Sequence, residues 1–143
     1  QFEKVIGRAL FNGSVDRVEI AEDGRVYIVD LKTGAPDLSK AKAEDNMQLA
    51  GYQLAVYEEA FKEQSPGNQS GGAELLFLGT GTNSVSATPQ PVKGHEEIKS
   101  EVIDAADAMA ANQFIATVNE RCRTCAVKGL CPIQPQGRSV IDQ

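Results

Sequence analysis

Residues 2–31 alternate between apolar and polar side chains with a period of two, which is the spacing of β-strands buried on one face. Three turn signals divide this run: Gly7, the Asn12-Gly13 dipeptide and the Asp23-Gly24 dipeptide. The segment is therefore predicted to form an antiparallel meander, which the Gly34-Ala35-Pro36 sequence then ends.

The remainder of the chain predicts helices that alternate with strands. Residues 38–63 have a helical pattern of apolar positions, and the apolar run at residues 73–79 is typical of a buried strand. A strand, a helix and a further strand in this order predict a crossover unit. Residues 64–72 are predicted to be a surface loop and residues 80–93 to be irregular, while a second helix is expected at about residues 98–112.

Length and composition place these elements in one domain. The chain has 143 residues, of which 41% are hydrophobic and 24% are charged, and this is the size and balance of one globular domain. A single α/β domain is predicted over residues 1–143, with a central mixed sheet flanked by helices. The chain begins without Met on a strand pattern, so it is expected to be an excised piece of a longer polypeptide.

Other compositional features exclude classes of function. No apolar run approaches the roughly 20 residues of a bilayer span, and no secretion signal is visible, so the chain is predicted to have no membrane partner and to be cytoplasmic. The net charge of −6 argues against a nucleic-acid binder that acts without help from elsewhere.

Charged residues occur at the ends of two strands whose faces are otherwise apolar. Asp16 shares a face with Val18, and Asp30 and Lys32 share a face with Ile28. A three-residue turn with a left-handed Gly24 makes paired residue numbers sum to 46, which sets Asp16 opposite Asp30. A two-residue turn would make the sum 47 and place Asp16 on the other face, which fits the apolar pattern less well.

Two opposed carboxylates repel each other unless a cation lies between them. Hard oxygen ligands suit Mg²⁺ or Mn²⁺, which take one or two carboxylates and complete their coordination with water and substrate phosphate. Lys32 is then placed to hold the attacking water or to balance charge on the phosphate. The competing interpretation is that these residues are exposed strand charges in local ion pairs.

Gln48 and Tyr52 are four residues apart, so they lie on one face of the predicted helix and can reach the strand edge together. They can equally be a polar cap and a core aromatic. Three segments of the chain together resemble the RecB-like nucleases of the PD-(D/E)XK superfamily, in motif order and in spacing. They are Gly-Ser-Val-Asp-Arg at residues 13–17, Val-Asp-Leu-Lys-Thr-Gly at residues 29–34 and Gln-Leu-Ala-Gly-Tyr at residues 48–52.

This resemblance implies a restriction-endonuclease-like core and a Mg²⁺- or Mn²⁺-dependent deoxyribonuclease. It further implies a C-terminal module of a UvrD-like helicase-nuclease of the AddAB or AdnAB type, which acts on DNA in double-strand break repair and recombination. Its partners would be DNA, the helicase and ATPase domains of the same polypeptide, and a second subunit. By position, Asp16, Asp30 and the Leu31 carbonyl would bind metal, Lys32 would be the catalytic lysine, and Gln48 and Tyr52 would complete the site. The family's upstream acidic or His residue would precede residue 1.

Three cysteines, Cys122, Cys125 and Cys131, lie in the tail formed by residues 121–143. Their odd number and close spacing favour a metal or free-thiol role in a reducing compartment over a disulfide framework. The C-x2-C-x5-C spacing resembles the tail of family members that hold a [4Fe-4S] cluster with a fourth, upstream Cys. That Cys is absent from this sequence, so the cluster is expected only in the full-length protein. His95 as a fourth ligand, giving a zinc site, is the weaker alternative.

A second function, from another class, is a catalytically silent nuclease-fold module with a structural or DNA-guiding role in the helicase. The presence of Asp16, Asp30, Lys32 and Gln48 favours the enzyme, because a silent copy is expected to have lost some of them. A small metal-binding interaction domain built around the Cys tail is the third and weakest interpretation.

Overall fold

The N-terminal strands form two hairpins, and each turn contains a glycine in the left-handed region. The computed structural model describes residues 1–33, 43–65, 67–79 and 85–138. β1 (Phe2–Ile6) pairs with β2 (Ala9–Gly13), and β3 (Arg17–Ile20) pairs with β4 (Val26–Lys32), both antiparallel. Gly7 has φ +58° and Gly24 has φ +81°, values at which a side chain would be strained.

The two hairpins belong to different sheets, so the predicted single meander is wrong. Within the described residues, β1 and β2 form a two-stranded sheet, and a four-stranded sheet has the order β3-β4-β5-β6. One face of the first hairpin is buried, since Phe2 packs against Phe61 and Ile6 lies in a cluster with Leu54. Alternation predicted these strands and their buried faces, but it could not tell which neighbour each strand would pair with.

A helix connects two parallel strands at the centre of the larger sheet. α1 (Met47–Tyr57) follows β4, and β5 (Ser70–Phe77) then pairs parallel to β4. This arrangement confirms the predicted crossover. β6 (Ser86–Gln90) pairs antiparallel with β5, and α2 (His95–Ala110) follows. The predicted fold class, a mixed α/β fold with a central mixed sheet flanked by helices, is thereby confirmed.

α1 is shorter than predicted. Asn46 caps its first turn by accepting a hydrogen bond from the Leu49 N–H at 3.1 Å, and the helix ends where Glu59 adopts φ +56°. The predicted helix continued to residue 63 because Phe61 keeps the apolar spacing, but Phe61 reaches the core from the turns after the helix. Residues 38–42 of the predicted helix lie outside the described residues.

Two other predictions are wrong at their boundaries. Residues 86–90, predicted to be irregular, form an edge strand, where Pro89 is tolerated because an edge need not supply every N–H. The predicted loop at residues 64–72 includes the first three residues of β5, and both Ser65 and Ser70 are buried. The Gly and Ser content of this segment predicted a loop. In the structure, small residues are required here by close packing, because a Cβ on Gly71 would clash with the Tyr27 ring.

A buried polar network fixes α1 against the sheet. The Gln53 amide is fully buried, and its Nε2 donates to Gln90 Oε1 and to the Pro91 carbonyl, both at 3.0 Å. Its Oε1 accepts from Ser70 Oγ at 3.1 Å and from the Lys93 N–H at 3.0 Å. Gln90 Nε2 in turn donates to carbonyls just before α1, including that of Ala43 at 2.8 Å. All four hydrogen-bonding positions of Gln53 are used, so the helix is held at a defined height over the strands.

Residues 1–107 form one compact unit and residues 108–143 form a second. The described part of the second unit contains two short 3-10 helices, Glu120–Thr124 and Lys128–Leu130, and a four-residue α3 (Pro135–Arg138). The single domain predicted over residues 1–143 remains a prediction. Within the described residues, no helix is both long enough and apolar enough to span a bilayer.

Replacement of Gln53 by Leu should lower the free energy of unfolding by about 2–4 kcal/mol, because the substitution leaves several buried donors and acceptors unpaired. Urea denaturation followed by circular dichroism measures the change. Gln64 is exposed, so Gln64→Leu is the matched control and should change stability by less than about 0.5 kcal/mol. Equal effects of the two substitutions would show that the network does not hold α1.

A charged cluster joins the end of α1 to α2. Glu58 Oε1 lies 2.8 Å from His95 Nε2 and 2.9 Å from Lys99 Nζ, and the His95 ring stacks on Tyr57 with the centroids 5.0 Å apart. The Lys99 ammonium, more than His95, holds the pKa of the Glu58 carboxyl below its usual range. Because the folded-state pKa is lowered, this carboxylate stabilises the fold above its unfolded pKa, and the contribution is lost as pH falls through the folded pKa.

The melting temperature of Glu58→Gln should therefore lie below that of the wild type between pH 5 and pH 7. The difference should shrink as pH falls below the ordinary glutamate pKa of about 4.3. Thermal melts at pH 7, 5, 4 and 3 test this, with Glu101→Gln on the exposed side of α2 as the control. A difference that stays constant from pH 7 to pH 3 would contradict the assignment.

Candidate active site

The Asp30 carboxylate lies on the α1 side of the central strand β4 and is 4% exposed. Its Oδ1 accepts hydrogen bonds from Tyr52 Oη at 3.1 Å and from Gln48 Nε2 at 3.2 Å. Its Oδ2 is buried and lies 2.6 Å from Lys32 Nζ. A buried carboxylate is thus compensated by one cation and two donors, which is what its removal from water demands.

Gln48 and Tyr52 reach Asp30 from consecutive turns of α1, as their spacing predicts. Gln48 Nε2 also donates to Tyr52 Oη at 2.8 Å, so the two side chains and Asp30 form a closed triangle of contacts. Burial raises the pKa of the Tyr52 hydroxyl. The hydroxyl therefore stays protonated and donates a hydrogen bond to Asp30. Tyr52 also belongs to the hydrophobic core cluster, so it is a core aromatic whose hydroxyl reaches Asp30.

The predicted register is confirmed over the described ladder. Val18 pairs with Ile28 and Ile20 pairs with Val26, so the numbers of paired residues sum to 46. Asp16 lies one residue before β3, and its Oδ2 accepts a hydrogen bond from the Leu31 N–H at 2.8 Å. The carboxylate of Asp16 is therefore held against the backbone of the residue that follows Asp30.

The Leu31 carbonyl faces the same side of β4 as Asp16. In an extended strand the N–H and C=O of one residue point to one side, and those of the next residue point to the other. The Leu31 N–H points to Asp16, while the Lys32 carbonyl accepts from the Leu78 N–H at 2.9 Å on the β5 side. The structure thus places three potential oxygen ligands for a metal at the end of β4, namely the two Asp carboxylates and the Leu31 carbonyl.

Lys32 supplies the positive charge at this position. Its hydrogen bond with Asp30 raises the pKa of the Lys32 ammonium, and Asp16 contributes to the rise from farther away. Lys32 is therefore a cation at neutral pH, and it offsets the repulsion expected between the carboxylates. As a cation it can donate hydrogen bonds and stabilise an anion, but it cannot accept a proton.

These donors fit a hard divalent cation. Carboxylate and carbonyl oxygens are the ligands that Mg²⁺ and Mn²⁺ prefer, and one or two carboxylates suffice when water and substrate complete the coordination. Asp30 Oδ2 is buried and faces the Lys32 ammonium at 2.6 Å, so a metal ion bound there would share this oxygen with Lys32. A group of three or more His, Cys, Asp or Glu side chains placed to hold a metal is not found among the described residues.

Two positioning features were not identified from the sequence. Asn46 caps the helix that carries Gln48 and Tyr52, and Gln53 anchors the opposite side of that helix to the sheet. An Asn just before the helix is a recognisable capping signal. The partners of Gln53 are distant in sequence, so no local pattern could have identified them.

The three cysteines lie in the C-terminal unit as free thiols. Cys122 Sγ accepts a hydrogen bond from the Asn119 N–H at 3.3 Å, and Cys125 is exposed. His95, the weaker candidate for a fourth ligand, contacts Glu58 and Tyr57 in the first unit, and its role as a ligand stays a prediction. Gly34, the last residue of the second motif, lies outside the described residues.

Comparison with known proteins identifies the family. A profile of the PD-(D/E)XK nuclease superfamily matches residues 1–132, and the chain belongs to that superfamily. Comparison with curated proteins gives no match. Among solved structures, the crystal structure of SSO0001 is similar, with 13% sequence identity and a TM-score of 0.41 over 92% of this chain. The chain spans 57% of the length of that protein.

Substitution of Asp30 by Asn should lower the free energy of unfolding of the metal-free protein by about 1–3 kcal/mol, because Lys32 loses its anion and the buried acceptor loses its charge. Thermal denaturation in the presence of a chelator measures the effect. Asp23→Asn removes an exposed carboxylate that pairs with Arg25 and is the matched control, with no expected change in melting temperature. Unchanged stability of Asp30→Asn would indicate that the pair with Lys32 does not form.

Proposed function

We propose that this chain is a metal-dependent deoxyribonuclease, a hydrolase that cleaves phosphodiester bonds with Mg²⁺ or Mn²⁺. The observation that carries the proposal is the convergence of Asp30, Lys32, Gln48 and Tyr52 at the end of β4, with Asp16 on the adjoining peptide N–H. Membership of a nuclease superfamily supports the same reaction class.

In this proposal Asp16, Asp30 and the Leu31 carbonyl hold the metal, and each has a distinct support. The Leu31 N–H fixes Asp16, while Tyr52 and Gln48 leave Asp30 Oδ2 as the oxygen that faces Lys32. When bound, the divalent cation supplies Lewis-acid polarisation of a phosphate oxygen. Lys32, kept protonated, stabilises the negative charge that develops on the phosphate or orients the attacking water.

We further propose that the chain is the RecB-like nuclease module of an ATP-dependent helicase-nuclease, in the cytoplasm, that acts in double-strand break repair and recombination. The order and spacing of the three motifs support this context, as does an acidic chain that needs a partner to bring DNA to it. Helicase and ATPase domains and a second subunit would be its protein partners. In that polypeptide, an upstream Cys would join Cys122, Cys125 and Cys131 around a [4Fe-4S] cluster.

One observation favours the second candidate function, a catalytically silent module that guides DNA. Asp16 and Asp30 are the only carboxylates in the proposed ligand set, and no group of three or more His, Cys, Asp or Glu side chains that could hold a metal is found among the described residues. A site with two carboxylates depends on its substrate to complete the coordination of the metal. A small displacement of one ligand can therefore abolish turnover while the fold persists.

The two candidates are separated by a cleavage assay on a labelled oligonucleotide with Mn²⁺ or Mg²⁺. Lys32→Ala and Asp30→Asn should each reduce the cleavage rate by at least about 100-fold, because each removes charge aimed at the reacting phosphate or at its metal. Tyr52→Phe should give a smaller loss, since it removes one hydrogen bond from Asp30 but none of the charge.

Lys93→Ala is the matched control for Lys32→Ala, because Lys93 lies in the same unit and its backbone, not its ammonium, makes the contacts observed. Its cleavage rate should equal that of the wild type. Full activity in Asp30→Asn would reject the active site. A wild-type chain that binds DNA but does not cleave it with either metal would favour the silent module.

A further inference from the structure

Charge is distributed unequally between the two compact units. Residues 108–143 contain four basic and two acidic side chains, a net charge of +2. Residues 1–107 contain ten basic and eighteen acidic side chains, a net charge of −8. Neutralisation of phosphates supplies most of the non-specific affinity of proteins for nucleic acid. Within this chain, only the C-terminal unit has the sign of charge that attracts DNA.

Two basic side chains of that unit are accessible. Arg121 and Arg123 are both exposed and lie in the single 3-10 helix Glu120–Thr124, and Lys128 begins the next one. Two residues span at most about 7 Å of chain, so the two guanidinium groups are available to neighbouring phosphates of one strand.

Apolar side chains are exposed in the same unit. Phe114 is 73% exposed and Ile115 is 83% exposed, and Val118 and Leu130 are similarly uncovered. Phe114 is the only aromatic residue after residue 107. An exposed ring offers a surface on which an unpaired base can stack, and the bases of a duplex are already stacked on each other. The combination of exposed arginines and an exposed ring is typical of surfaces that bind single-stranded nucleic acid.

A protein partner fits this surface less well. Arg and Phe occur both in protein–protein interfaces and in surfaces that bind nucleic acid, but the net charge of +2 and the exposed arginines of this unit complement the phosphate backbone of DNA. Resting on the proposed nuclease function, we propose that the C-terminal unit binds single-stranded DNA, with Arg121 and Arg123 on the phosphates and Phe114 stacked on a base. This is a binding role separate from the chemistry at Asp30.

Fluorescence anisotropy with a labelled oligothymidine and with a duplex of equal length, in EDTA and over a range of NaCl concentrations, tests the proposal on the whole chain. The double variant Arg121→Ala/Arg123→Ala should bind both DNAs more weakly. Its slope of log K against log [salt] on the single strand should be about 1.4 smaller, since each phosphate contact contributes about 0.7. Phe114→Ala should weaken binding to the single strand roughly tenfold and leave duplex binding unchanged.

Arg25→Ala is the matched control, because Arg25 is an exposed arginine of the first unit that pairs with Asp23. Its affinity and salt slope should equal those of the wild type. The proposal is overturned if the wild type does not bind the single strand, or if the double arginine variant keeps the wild-type affinity and slope. It is also overturned if Phe114→Ala changes the oligomeric state in sedimentation without changing DNA binding, because the surface would then be a protein interface.

The result is independent of the test of the nuclease. Arginine-dependent binding by a wild type that does not cleave with Mn²⁺ would refute the nuclease and keep the binding role. Normal cleavage by a wild type whose arginine and Phe114 variants bind DNA unchanged would refute the binding role and keep the nuclease.

Discussion

The structure of the first unit depends on the burial of one carboxylate. Asp30 is almost completely removed from water, and an ionised group in that position is tolerated only when its charge and its lone pairs are satisfied. Lys32 provides the charge, and Tyr52 and Gln48 provide the hydrogen bonds. The end of β4 and the first turns of α1 must therefore keep a fixed separation.

The scaffold sets that separation from the other side of the helix. Gln53 follows Tyr52 directly, so its side chain points away from Asp30 and into the network with Gln90 and Ser70. Strand β6, at the far edge of the sheet, thereby helps to position a helix whose functional side chains lie over β4. Polar groups fix this helix on both sides, and each set is buried enough to require specific partners.

Much of this arrangement was predictable because the controlling patterns are local. The turn at Gly24 fixed the register of β3 and β4, and the four-residue spacing of Gln48 and Tyr52 fixed their common direction. The separation of the two hairpins, the strand at residues 86–90 and the early end of α1 depend on contacts distant in sequence. Phe61 illustrates the reason: apolar spacing records that a residue is buried, but not which element carries it there. The ion pair between Lys32 and Asp30, which offsets the repulsion between the carboxylates, could not be predicted either. The period of two places Lys32 on the same face as Asp30, but it does not fix the direction of the Lys32 side chain.

The outer strands of the larger sheet have a consequence for the behaviour of the chain at high concentration. β3 has only four residues and carries the ion pair of Arg17 and Glu19, and β6 contains Pro89, which has no N–H to offer a further strand. Short, charged or proline-bearing edges are poor templates for a strand from another molecule. Growth of this sheet by strand addition, the usual route to fibrils and to edge-to-edge dimers, is thus opposed at both ends.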